Sequence, residues 1–95
     1  MATDPSVISA IEAAVAEDPA NSALRVRLGG LLLNAGRIDD ALAQAEAVLR
    51  QEPDHLEALG LAVEAGTFLE DDRAPGWARL HGSLVGGLRP ADPYV

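Results

Sequence analysis

A 34-residue recurrence constrains this 95-residue chain more than any other feature. Pro19 and Pro53 stand 34 residues apart, and the segments that precede them can be laid over each other. Residues 6–19 match residues 40–53, with Glu12 over Glu46 and Ala13 over Ala47. Small or apolar residues coincide at positions 7, 8, 11, 14 and 15. A period this short marks a stacked array, because one such unit cannot bury its apolar face alone and needs a neighbour to cover it. About three units are usually required for stability, so a chain of this length is expected to sit near the minimum.

The units read as helices. Eighteen Ala and 14 Leu favour helix strongly, and no stretch alternates apolar with polar residues cleanly enough for a strand. A first helix is expected from Asp4-Pro5, with Asp4 as N-cap and Pro5 in the first helical position. Val7, Ile8, Ile11, Ala14 and Val15 form its apolar face, and it stops before Asp18-Pro19. The second is expected from about Ala20 to Ala35, closed by Gly36 in the left-handed conformation. The third runs from Ile38 to Gln51, with Asp39 and Asp40 favoured in the first turn by the helix dipole. The fourth is expected over about Asp54 to Glu70. The fifth follows Pro75, with Trp77, Leu80, Leu84, Val85 and Leu88 on its apolar face and several glycines weakening its far end.

Charge and composition remove several function classes. Seven Arg and no Lys stand against fifteen acidic residues, a net charge of −8. Nucleic acid requires a positive footprint, and an anionic membrane surface would repel this chain as well. A basic or amphipathic protein or peptide is the easier partner, and association between copies also fits. No apolar stretch reaches the ~20 residues needed to cross a bilayer. Residues Met1 to Pro5 carry no basic region leading into an apolar core, so a cytoplasmic chain is expected. The absence of Cys removes thiolate catalysis, disulfides and cysteine-bound metals.

No catalytic constellation stands out, and neither cofactor nor metal is expected. His55 and His81 are the only imidazoles, and they do not form a His-x-x-x-His pair; both read as helix-surface residues. Glu70-Asp71-Asp72 lacks the alternating ligands and the glycine of a calcium loop. Gly29-Gly30 and Gly86-Gly87 do not follow strands or precede Lys, so neither is a phosphate loop. At Gly29 the missing side chain instead allows the two helices of a hairpin to approach closely. Arg25, Arg27, Arg37 and Arg50 are expected in surface pairs with Glu12, Glu46 or Asp39.

Leu28-Gly29, Gly36, Ala41 and Pro53, in a period of 34, resemble the tetratricopeptide repeat, a helix–turn–helix unit of that length. Residues 22–55 form one full repeat, with partial repeats on either side. Arg25, Leu32 and Ala45 stand where the family carries Trp, Tyr and Phe, so the likeness rests on spacing and small residues. The first helix then ends a truncated repeat, the fourth opens the next, and the fifth is its partner. An offset of 35 maps Leu42, Ala45 and Leu49 onto Trp77, Leu80 and Leu84, with one extra residue in the turn 70–75. The fold implied is all-α, with five antiparallel helices stacked as a short αα-hairpin solenoid. The repeat domain is expected over residues 1–88, with a tail or linker at 89–95. The segments 24–37 and 39–42 are also similar to the repeat region at the head of certain bacterial AAA-family ATPases. The chain has no phosphate loop, so that resemblance implies an ATPase module elsewhere.

Two stripes compete on the second helix. Leu24, Leu28, Leu31 and Ala35 are spaced as a core stripe. Ala23, Val26, Gly30 and Leu33 form another, and the resemblance implies that these positions, with Asn34, line a concave groove that receives a peptide or helix. The next repeat adds Glu57, Gly60, Glu64, Thr67 and Phe68. The groove is then small and apolar at one end and acidic at the other. The alternative is that Val26 and Leu33 simply pack against the fourth helix, and the residues alone leave both open. Relatives that grip a C-terminal carboxylate carry Lys and Asn where this chain has Val26 and Gly30, which argues against that ligand. The reading is a non-catalytic interaction module with a shallow groove. The alternative is a self-associating or regulatory N-terminal region of a larger protein such as an AAA-family ATPase.

Overall fold

Caps and turns divide the chain into five helices. The computed structural model describes residues 5–87 as α1 (Pro5–Glu17), α2 (Ser22–Asn34), α3 (Ile38–Gln51), α4 (Leu56–Phe68) and α5 (Ala74–Gly87). Among the described residues there is no strand. The expected cap Asp4, the face residue Leu88 and the tail 89–95 lie outside the described residues. Each helix packs on the next along the chain, and α2 also touches α4. The result is the all-α solenoid of stacked hairpins that the repeat period requires.

Helix starts are set by side chains more than by proline. The second helix begins at Ser22 instead of about Ala20, because the Asn21 side chain accepts a hydrogen bond from the Leu24 N–H at 3.1 Å. The fourth begins at Leu56 instead of Asp54. There His55 Nδ1 accepts from the Ala58 N–H at 3.2 Å, so this imidazole is an N-cap and not merely a surface residue. The fifth begins at Ala74, one residue before the proline expected to precede it.

The turns show the repeat most plainly. Gly36 is left-handed at φ 82°, and Glu70, 34 residues later, is left-handed at φ 56°. The same two bonds close both helix ends. Gly36 N–H donates to Leu33 O and Arg37 N–H to Leu32 O, as Glu70 N–H does to Thr67 O and Asp71 N–H to Gly66 O. Glutamate in that conformation costs about 1–2 kcal/mol that glycine avoids, which marks the second turn as the weaker copy. After Asp71 the register changes. α3 starts at Ile38 and α5 at Ala74, an offset of 36, so the turn absorbs two extra residues and not one. The difference moves the inner face of α5. Leu80 is 40% exposed, and His81 takes the inward place, near Gly60 of α4.

The core is built from small residues in two joined layers. One layer holds Ile8, Val15, Leu28, Leu32 and Ala41, and the other Leu42, Ala45, Leu61, Ala62 and Ala65. Leu33 packs against both. On α2 the buried pair is Leu28 and Leu32, while Leu24, Leu31 and Ala35 of the expected core stripe are only half-buried. The tight approach at Gly29 is also made to a different helix than expected. A Cβ there would overlap the Leu61 side chain of α4, the first helix of the next hairpin, ahead of any atom of α3.

Polar contacts brace the outside. Arg37 pairs with Glu12 at 3.7 Å and Asp40 at 2.9 Å, tying α1 to the start of α3. Arg25 instead donates to the Pro19 carbonyl and to Gln44. Glu46 is held by Arg73 at 2.5 Å and not by an arginine of the middle repeat. Arg73 also bonds Asp71 and lies 4.8 Å from the centre of the Trp77 ring. The Arg73 side chain and backbone donors hold the Asp71 carboxyl down to about 2 from its ordinary 3.8. A lowered carboxylate favours the folded state above the ordinary value, and that contribution disappears as pH falls through about 2. The brace is therefore intact throughout the neutral range.

Replacing Leu28, which is 1% exposed, with Ala is expected to lower stability by about 2–5 kcal/mol. Chemical unfolding followed by circular dichroism measures it. A loss below about 1 kcal/mol would contradict the placement of this residue at the centre of the first core layer.

Candidate functional site

The sequence of α4 leaves one side open. Ala58, Leu59, Leu61, Ala62, Ala65 and Gly66 are buried, because α2, α3 and α5 all lie against this helix. Its exposed residues are Glu57, Glu64, Thr67 and Phe68. At about 100° per residue, Glu57, Glu64 and Phe68 fall within about 40° of one another. They form a stripe along the single face that no other helix covers. Gly29 brings α2 close on one side of that stripe, and the space between the two helices is a groove.

Two depressions make up the groove. One, of about 360 Å³, is lined by Val26, Gly30, Leu33 and Asn34 of α2 and by Glu57, Gly60, Leu61 and Glu64 of α4. The other, of about 510 Å³, is lined by Leu33, Ile38, Val63, Glu64, Thr67 and Phe68. Leu33 and Glu64 belong to both, so the two are continuous. Nine of the ten residues expected from the sequence as groove positions therefore line these two depressions. Ala23 is exposed and lines neither depression.

Polarity in the groove runs along the helices. Glu57 stands at the N-terminal end of α4 beside Val26, and Phe68 at the C-terminal end beside Leu33 and Ile38. Phe68 is 74% exposed, the largest exposure among the big apolar side chains described. No Arg lines either depression. Leu33 lines both depressions and also packs on both core layers. It is the groove floor.

Sequence reasoning missed Ile38, Leu61 and Val63. Ile38 is the first residue of α3 and reads only as a helix start. Val63 precedes Thr67 by four residues and follows Gly60 by three, so α4's own periodicity places it beside residues already singled out. A separate depression, lined by Glu46, Leu49 and Arg50 of α3 with Arg73 and Trp77, also went unnoticed. There Arg73 is taken up by Glu46 and Asp71.

Groove chemistry suits contact better than reaction. Among the described residues no polar side chain is buried, and no three His, Cys, Asp or Glu side chains converge as a metal site would require. What the surface offers is exposed apolar area, negative charge and one shallow channel.

A family model described as a tetratricopeptide repeat matches residues 7–65, which takes in α2 and α3 and most of α1 and α4. No curated protein and no solved structure matches the chain. Among the described residues no helix is long and apolar enough to cross a membrane.

Two substitutions in this groove are expected to part company. Phe68→Ala removes a ring that is mostly in solvent, and stability should stay within about 0.5 kcal/mol of the wild type. Leu33→Asp places a carboxylate against both core layers and should cost about 1–3 kcal/mol. Thermal melts of the two variants provide the comparison. Equal losses would contradict the distinction between groove floor and groove rim.

Proposed function

The chain belongs to the tetratricopeptide-repeat family, and we propose that it is a non-catalytic module that binds a peptide or helix of a protein partner in the groove between α2 and α4. Members of this family are typically interaction modules without catalytic activity. The observation that carries the assignment of the groove is the open stripe on α4. On a helix otherwise enclosed by neighbours, the exposed residues are the acidic pair Glu57 and Glu64, Thr67, and an aromatic ring left in solvent. An uncovered Phe beside Leu33, Ile38 and Val63 stabilises the molecule only when something covers it.

The partner is basic or amphipathic on this reading. Both depressions carry glutamate and neither carries arginine, and the chain as a whole has a charge of −8. Such charge draws a cationic partner in and disfavours an anionic one.

A second reading is self-association, or a regulatory role at the head of a larger protein such as an AAA-family ATPase. Apolar residues exposed on the two end helices support it, Val7 at 43% on α1 and Leu80 at 40% on α5. Sedimentation of the chain at high concentration separates the two, since the groove reading needs no second copy.

Gly30 offers a clean test of the groove. A Cβ there meets nothing within 4 Å, so Gly30→Arg fills the channel without touching the core. Helicity and melting temperature should be retained, because leaving glycine in a helix interior costs about 1 kcal/mol that any other non-proline residue avoids in part. Partners identified by affinity capture and mass spectrometry with the wild-type chain should be lost. Their binding to the wild type should also weaken between 50 mM and 500 mM salt. Capture that survives Gly30→Arg would place the binding surface elsewhere.

A further inference from the structure

The groove's two kinds of lining are ordered along one axis, and that order specifies a ligand more narrowly than its charge does. Building on the assignment of this groove as the binding surface, we infer that the occupant is an amphipathic α-helix. It carries an apolar anchor for the Phe68 end and Lys or Arg on the same face about 4 and 11 residues away, opposite Glu64 and Glu57.

Backbone chemistry selects a helix. An extended segment brings unpaired N–H and C=O groups that require partners wherever water is displaced. Among the residues lining both depressions, the neutral polar side chains are Asn34 and Thr67, and the others are apolar residues, glycine or glutamate. Carbonyl groups of an extended segment would face a wall almost without donors. A helix satisfies its own backbone and presents only side chains, as in other cases of a helix laid in an apolar groove.

Spacing selects the register. Along α4, Glu64 lies four residues and Glu57 eleven residues before Phe68, which at 1.5 Å per residue is about 6 Å and about 16 Å. A partner helix aligned with the groove has the same rise, so its basic residues stand at the same intervals from its anchor. Positions 0, 4 and 11 of any α-helix also fall within about 40° of one another. A partner can therefore meet the ring and both carboxylates with one face. Among the described residues Glu57 and Glu64 form no ion pair and lie exposed, and the cations nearest them in sequence, Arg50 and Arg73, line neither depression.

Display selection from a library of randomised 18-residue peptides, run on the full 95-residue chain, tests this. The selected peptides are counter-screened against Phe68→Asp. The expected result is a set that loses binding to Phe68→Asp, is helical by circular dichroism when bound, and carries an apolar residue with Lys or Arg 4 and 11 positions away. For such a peptide, Glu57→Gln and Glu64→Gln should each lower affinity about two- to fivefold, the range of an exposed ion pair. Moving its basic residues to the opposite face should lower affinity at least as much as both changes together. Selected peptides that depend on Phe68 but are extended, or lack the basic spacing, would overturn the inference and leave the groove assignment standing. Peptides indifferent to Phe68→Asp, or no enrichment at all, would overturn both.

Discussion

The contact between Gly29 and Leu61 is the hinge of this architecture. Most helix pairs in the chain are sequence neighbours, brought together by short turns. α2 and α4 are not neighbours, and nothing but packing holds them side by side. Gly29 has no side chain where Leu61 needs the space, and that allows the first helices of two successive hairpins to meet. Were they held further apart, the stack would open and the groove would lose its second wall. A core rich in Ala works the same way. Ala41, Ala45, Ala58, Ala62 and Ala65 are all fully buried and let helix axes come close without loss of side-chain entropy. At Ala45 a small residue thus stands where the repeat pattern would otherwise supply a large aromatic.

Close packing of small residues has a consequence for function. With α4 enclosed by three helices, its polar residues cannot be scattered around its circumference. They are confined to the remaining face, and in this chain that face carries Glu57, Glu64, Thr67 and Phe68. The same sequence that buries Ala58, Ala62 and Ala65 therefore presents the acidic and aromatic stripe. Leu33 connects the two, since it packs on both core layers and lines the groove.

Much of this was legible in the residues. The 34-residue period gave the hairpin register, and Gly36 gave the left-handed turn, because glycine at the end of an apolar run has few other uses. Helix existence followed from Ala and Leu content, and the positions that line the two depressions were those the family resemblance implies. Four things were hidden for physical reasons. Glu70 takes the same left-handed turn as Gly36, which its residue type does not advertise. The two extra residues after Asp71 rotate α5 so that His81, not Leu80, faces inward. Hydrophobicity alone favours the leucine, and only the register of the turn decides otherwise. Gly29 clearly marks a close approach, but no local pattern says whether the neighbour is the hairpin partner or the next hairpin. Asn21 and His55 act as caps whose identity depends on backbone geometry just outside the apolar run.

The central claim is that α2 and α4 are apposed through Gly29 and Leu61, and a double-mutant cycle measures it directly. Gly29→Val forces a branched side chain into the space occupied by Leu61, and Leu61→Ala empties that space. The loss of stability caused by Gly29→Val should be smaller in the Leu61→Ala background than in the wild type, with a coupling of about 0.5–3 kcal/mol in chemical unfolding. Strictly additive losses would mean that the two residues do not meet, and the groove between these helices would have no structural basis.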